Sequence, residues 1–217
     1  QVLAFEIKNN LAQSLYYYAK RTVDYFLSIL LFLLLIFPML IISLLIKLSS
    51  PGPAILKQER IGKNRKTFIC YNFRTMYNNA DERLDKILAK DPRAKEEWEK
   101  HWKLKNDPRV IPLGKFLRRS SLDEIPQLIN VLKGEMSLVG PRPYLEREWE
   151  WLKDSSETIH SVPPGITGLW QVSGRSNASY HQRLELDAWY VRNWNLWLDI
   201  MILIKTVSTV LKREGAG

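Results

Sequence analysis

The longest unbroken apolar pattern in the chain runs from Tyr25 to Ile46, 22 consecutive uncharged residues dominated by Leu, Ile and Phe. A stretch of that length can cross a bilayer. It is no cleaved secretory signal, because it lacks a small-residue cleavage site and runs straight into the turn cluster Ser49-Ser50-Pro51-Gly52-Pro53. Its flanks bear on how it sits. Lys20 and Arg21 precede it, while Lys47, Lys57, Arg60, Lys63, Arg65 and Lys66 follow it, so a simple span would leave one basic cluster on the wrong side. Pro38 lies near the middle, where a proline removes a backbone hydrogen bond and favours a kink. The stretch therefore reads as a re-entrant helix that returns to its own side. A proline-tolerant span and a buried core helix are the alternatives.

Beyond the turn, residues 54–61 and 66–73 flank Gly62-Lys63-Asn64-Arg65, the pattern of a basic hairpin. Residues 47–74 carry seven Lys/Arg against one Glu. Asp81–Lys105 differs, with eight basic and seven acidic residues and the pairs Glu82/Lys86, Glu96/Lys100 and Glu99/Lys103 at i,i+4, which predicts solvated helix broken at Asp91-Pro92. Further on, Asp123 and Glu124 open a short apolar-periodic run that Lys133-Gly134 closes. Ser121 with Glu124 three residues later is a capping box, and acids suit a first turn. The same helix start, beside Arg118 and Arg119, could instead gather a carboxylate, a divalent cation and phosphates. In the tail, Leu184, Ala188 and Val191 mark an amphipathic helix. Trp194, Trp197 and the apolar run Leu196–Leu211, interrupted by Asp199 and Lys205, read as interfacial helix rather than a span, with a core helix as the alternative.

Composition narrows the partners. Of 217 residues 46% are hydrophobic, which excludes a disordered chain, and 32 Lys+Arg against 23 Asp+Glu give a net charge of +9, which favours anionic partners. Basic residues that flank a bilayer-length apolar stretch argue for membrane lipids and against nucleic acid. The single cysteine, Cys70, excludes an intrachain disulfide and any Cys-based zinc cluster. Eight Trp fit a protein that meets a membrane interface. His101, His160 and His181 occur singly, without metal-ligand spacing.

Ordered motifs then carry a resemblance. Lys20-Arg21-Thr22-Val23-Asp24, Pro51-Gly52-Pro53, Gln58-Glu59-Arg60-Ile61-Gly62, Tyr71-Asn72-Phe73-Arg74-Thr75-Met76, Ser121-Leu122-Asp123-Glu124-Ile125-Pro126-Gln127, Asn130-Val131-Leu132-Lys133-Gly134, Ser137-Leu138-Val139-Gly140-Pro141-Arg142-Pro143 and the run Pro164–Arg175 resemble the bacterial sugar transferases, the monotopic phosphoglycosyl transferases. The insert Asp91–Pro108 and the ending Arg213-Glu214-Gly215-Ala216 further resemble the undecaprenyl-phosphate galactose phosphotransferase branch. That branch usually carries extra N-terminal membrane helices, so a chain that begins at Gln1 reads as a trimmed catalytic portion.

The resemblance implies a mainly α fold with a small β-hairpin: a monotopic membrane protein with a re-entrant N-terminal helix within 1–48 and a catalytic domain with C-terminal interfacial helices over 49–217. It implies transfer of a hexose 1-phosphate from a UDP-sugar, UDP-galactose or UDP-glucose, to undecaprenyl phosphate. The location implied is the cytoplasmic face of the bacterial inner membrane, where O-antigen, capsule or exopolysaccharide assembly starts. Asp123 would be the nucleophile and would carry a covalent phosphosugar as UMP leaves; Glu124, with Asp123, would hold Mg²⁺. Arg118 would meet the polyprenyl phosphate. Pro141, Arg142 and Pro143 would meet the nucleotide and its phosphates, with Lys57, Arg60 and Arg74 in support. Rival readings are a membrane adaptor that binds anionic lipids without catalysis and a glycosyltransferase that releases UDP. Oligomeric state stays open, a homodimer among the options.

Overall fold

The computed structural model describes residues 14–101, 104, 107–152, 155–173 and 179–212. Gly174 and Arg175, Lys103 and Lys105, and the ending from Arg213 lie outside the described residues. One helix, α1 (Ser14–Ser49), takes in the whole apolar stretch with Pro38 inside it. Its 36 residues make it about 54 Å long.

The faces of α1 divide with helical period. Lys20, Arg21, Asp24, Ser28 and Ile46 are buried, and Leu27, Phe32, Leu35, Met39 and Ile42 pack half-buried against the globular part. The other face is apolar and bare, with Leu33 at 65%, Leu34 at 70% and Phe37 at 74% exposure. An apolar surface of that extent needs a partner other than water. At the N-terminal end the Lys20 ammonium meets the Asp199 carboxylate at 2.5 Å. Arg21 donates to the Met136 carbonyl at 2.7 Å, and Asp24 accepts from the Ser137 hydroxyl and the Leu138 N–H. The positive-inside argument treats Lys20 and Arg21 as free flanking cations; they are buried instead, because residues far along the chain supply their partners. At the other end Ile46 packs with Ala54, Phe73 and Leu117. Both ends of α1 thus rest on one globular body.

The basic hairpin forms as the pattern predicts, within a residue. Strands β1 (Ile55–Ile61) and β2 (Thr67–Phe73) pair antiparallel from Ile55 opposite Phe73 to Ile61 opposite Thr67. The expected charged insert is helix α2 (Ala80–Lys90) and helix α3 (Pro92–His101), broken at Asp91, whose carboxylate accepts the Arg93 N–H at 2.9 Å. Its Lys95–Glu99 pair, 4.0 Å apart and exposed, contributes little.

The remaining elements close the body. Helix α4 (Pro112–Arg119) leads through a 3₁₀ turn (Leu122–Gln127) into helix α5 (Leu128–Leu132), which ends at Gly134 in the left-handed region (φ 85°). Strands β3 (Ser137–Val139) and β4 (Gly165–Thr167) pair parallel. Short helices α6 (Trp149–Leu152) and α7 (Ser156–Ile159) lie between them, and α8 (Leu169–Ser173) follows. Helix α9 (Tyr180–Asn193) opens on the Ser179–Gln182 capping box and turns Leu184, Ala188, Tyr190 and Val191 into the core. Val131, Met136 and Ile202 are fully enclosed there, each contributing about 1.5–3 kcal/mol.

Helix α10 (Leu196–Lys212) buries Asp199 and Ile202 and turns Trp197, Ile204 and Val207 outward. Its bare apolar face fits the interfacial expectation, but α9 spends its apolar face on the core. Trp194, expected at the lipid boundary, is 1% exposed, with Tyr16 edge-on at 6.5 Å and the Lys20 ammonium over its ring.

Candidate functional site

The acidic turn is fixed from below. Asn130, fully buried on α5, donates to the Ile69 carbonyl at 2.7 Å and accepts the Tyr71 N–H at 3.1 Å, which stitches α5 to β2. Ser121 adopts left-handed backbone angles (φ 55°, ψ 18°), and its side chain makes no cap hydrogen bond. An N-cap serine needs extended backbone to aim its oxygen at the next turn. The expected capping box is therefore not formed, and the acids at 123 and 124 need another explanation.

Asp123 has Arg118 as its charged neighbour. Helix α4 lies so close to Thr75 that a methyl group on Gly114 would come within 2.2 Å of the Thr75 carbonyl oxygen. This approach lets Arg118 donate from Nε to Thr75 Oγ1 at 2.9 Å. Burial pushes the Asp123 carboxyl above its ordinary range, and the Arg118 guanidinium pulls it partly back. Burial acts on Arg118 the opposite way, lowering it, while Asp123 and Asp107 favour its charge. Arg109 is already committed: it grips Asp107 through 2.8, 3.1 and 2.6 Å contacts and stacks on Trp98.

The next residue along, Glu124, lines a cleft of about 180 Å³. The hairpin contributes Arg60, Cys70 and Asn72 to its wall, and the turn adds Gln127. Arg142 and Pro143 close one side; Ile166, Trp170 and Gln171 close the other. These distant segments become neighbours because β3 and β4 approach with almost no clearance: a methyl on Gly165 would lie 2.1 Å from the Gly140 nitrogen. The Gly165 N–H also donates to the Pro141 carbonyl at 2.8 Å, so buried Pro141 braces the loop from behind the cleft.

Two guanidinium groups face this cleft with different commitments. Arg60 donates to the Pro143 carbonyl at 3.1 Å and to Gln58 at 2.7 Å, and its buried Nε has no partner among the described residues. Burial, then Arg142, lowers its pKa. Arg142 sits 3.9 Å from Glu148, and its backbone N–H donates to Asp187 at 3.1 Å. The Tyr144 hydroxyl donates to the same Asp187 oxygen at 2.7 Å. Full burial pushes Asp187 up to about 7, against the pull of those two donors.

Of the residues singled out in the sequence, Arg60, Glu124, Arg142 and Pro143 therefore share the cleft, and Asp123, one residue before Glu124, feels the charge of Arg118. Lys57 is exposed on β1 and lines no part of the cleft. Arg74 is buried and donates to the Ser50 carbonyl at 2.7 Å and to the Pro51 carbonyl, which ties down the end of α1. Its guanidinium is thus engaged with backbone in this structure. The sequence reading gave no role to Asn72, Gln127, Trp170, Gln171 or Asp187. Asp187 had a signal, being a lone acid on the apolar face marked by Leu184, Ala188 and Val191.

Among the described residues no group of three or more His, Cys, Asp or Glu could hold a metal. Asp123 and Glu124 are successive carboxylates of the 3₁₀ turn, and Mg²⁺ takes one or two protein carboxylates and completes its shell with phosphate oxygens and water.

Residues 15–213 match the family model described as bacterial sugar transferase. The chain is 50% identical over its full length to the undecaprenyl-phosphate galactose phosphotransferase of Salmonella typhimurium, covering 45% of that protein. It is 46% identical, again over its full length, to the UDP-galactose-lipid carrier transferase of Erwinia amylovora, covering 45% of it. It is also 46% identical over 91% of its length to the exopolysaccharide production protein ExoY of Rhizobium meliloti, covering 88% of that protein. The chain thus spans under half the length of the Salmonella and Erwinia relatives and most of the Rhizobium one.

Proposed function

The chain belongs to the bacterial sugar transferase family, and from that membership we propose that it moves a hexose 1-phosphate from a UDP-sugar to undecaprenyl phosphate through a phosphosugar bound to Asp123. One observation supports this reading above the rest: a half-buried carboxyl, raised by burial and held back by the charge of Arg118, sits one residue from a cleft walled by two arginines. A perturbed carboxyl beside a cation marks a reactive group more often than a surface cap. The names of the Salmonella and Erwinia relatives favour galactose as the hexose.

In the first step an Asp123 carboxylate oxygen attacks the phosphorus that bears the sugar. The bond from that phosphorus to the bridging oxygen breaks, and UMP leaves with the bond's electron pair. In the second step an oxygen of undecaprenyl phosphate attacks the same phosphorus and frees the Asp123 carboxylate. Splitting the transfer in this way lets one site serve donor and acceptor in turn. Arg118 holds the acceptor phosphate, while Arg60 and Arg142 offset the donor's phosphate charge. When bound at Asp123 and Glu124, Mg²⁺ supplies further offset for the crowded phosphates.

The acceptor's isoprenoid chain gains on the order of 0.8 kcal/mol per buried CH₂ in lipid, so the site has to come to the bilayer. The bare apolar faces of α1 and α10 suit that task. The contact of both ends of α1 with one body supports a helix that enters the membrane and returns near Pro38, with the domain on the cytoplasmic face of the inner membrane. Cysteines placed at Ala19 and Lys47 test this: labelling from one side supports re-entry, and labelling from opposite sides overturns it. For the reaction, UMP release from a UDP-hexose by the detergent-solubilised protein is the readout. Asp123→Asn should abolish it, and unchanged release would overturn the nucleophile assignment.

A further inference from the structure

We infer that the cleft beside Glu124 is the subsite for the donor's hexosyl group, and that Asn72, Gln127 and Trp170 read its hydroxyls; this rests on the transfer proposed above. Size is the first argument. At about 180 Å³ the cleft has room for one pyranose ring with its hydroxyls.

Chemistry is the second. Asn72 and Gln127 present carboxamides to the cleft, groups that donate and accept at once, as a hydroxyl does. Their mutual contact is long, 3.5 Å from Gln127 Nε2 to Asn72 Oδ1, so neither amide is saturated by the other. Trp170 and Arg60 also line the cleft, and the Trp170 indole N–H and the Arg60 Nε–H are buried without a partner among the described residues. A buried donor without an acceptor is destabilising, and a ligand oxygen that reached it would relieve the cost. Cys70, pushed up to about 12 chiefly by burial, adds a neutral thiol rather than a charge.

Position is the third argument and separates a hexose from a uracil. The cleft begins at Glu124, adjacent to the residue that attacks phosphorus, and the sugar is bonded to that phosphorus through a single oxygen. Uridine lies one phosphate further away, on the leaving group. Arg183 already covers the Trp170 ring at 4.9 Å, so one of its two faces is closed to a stacking base.

The test compares the intact protein with Trp170→Phe, which keeps an aromatic ring and removes the N–H, and with Asn72→Ala. UMP release is measured on UDP-galactose, UDP-glucose and their N-acetyl counterparts, and UMP is titrated as a product inhibitor. The inference predicts that the ratio of kcat/KM between the best donor and its epimer falls about tenfold in at least one variant, while UMP inhibition stays within twofold. Loss of overall activity with the ratio intact would mark a structural role and overturn it. Weakened UMP inhibition with the ratio intact would make the cleft a base subsite and also overturn it. A failure of the unaltered protein to release UMP from any of the four donors would instead remove the transfer reading on which the inference stands.

Discussion

Replacing Lys20 with Met should destabilise the protein severely although the residue lies far from Asp123. The Lys20 and Asp199 side chains are only 5% and 8% exposed, and they meet at 2.5 Å. Asp199 has one other side-chain donor, the Tyr190 hydroxyl at 2.7 Å. Without the ammonium, a buried carboxylate keeps the Tyr190 hydroxyl as its one side-chain partner among the described residues. Breaking a buried pair from one side costs about 3–5 kcal/mol, which for a chain of this size lowers the melting temperature by roughly 6–20 °C. The double change Lys20→Met/Asp199→Leu removes both charges and should recover most of the loss. Thermal unfolding of the purified protein in one detergent, run as a double-mutant cycle, reads the coupling directly. A single variant that melts within 2 °C of the unaltered protein would show the pair to be solvated, and would refute the docking of the N-terminal end of α1 on α10.

Other consequences follow from the same geometry. Arg118 favours the ionised form of Asp123, so Arg118→Ala should raise the Asp123 pKa and move the acid limb of the kcat/KM profile to higher pH; an unmoved limb would separate the two residues. Asp187 titrates near 7 when folded and near 3.8 when unfolded, so the folded state holds the extra proton in between. Its contribution to stability is therefore full below about pH 4 and falls until about pH 7. Asp187→Asn should remove that part of the slope in urea titrations at pH 5 and pH 7, and an unchanged slope would contradict it. Cys70 should resist maleimide in the folded protein, since burial both encloses it and holds it as the thiol, and should react once denaturant is added. That silence is what allows introduced cysteines to report the topology of α1.

Local features of the chain were legible because local physics decides them. The hairpin strands follow from two runs that flank the turn Gly62-Lys63-Asn64-Arg65, the break between α2 and α3 from Pro92, and the stop after α5 from Gly134. Where distant segments meet, local pattern misled or stayed mute. Lys20 and Arg21 look like headgroup cations until Asp199 and Met136 arrive from far along the chain. Ser121 has the spelling of a cap, yet the packing of α4 and α5 holds it left-handed and denies it that role. The cleft depends on four segments brought together where Gly140 meets Gly165, so no single window contains it. Pattern offered Asp123 and Glu124 beside Arg118 as one of two readings of a helix start, family motifs chose between them and gave Arg142 its role, and the structure adds their surroundings: the raised carboxyl, the Thr75 anchor and the Asp187 brace.

The covalent step can be put to a direct trial. Purified protein incubated with UDP-galactose alone, quenched in acid and digested, should yield the peptide carrying Asp123 heavier by one hexose phosphate, with UMP formed in equal amount, and the adduct should vanish when undecaprenyl phosphate is added before the quench. UMP formation with that peptide always at its unmodified mass, or with the adduct on another residue, would contradict the account.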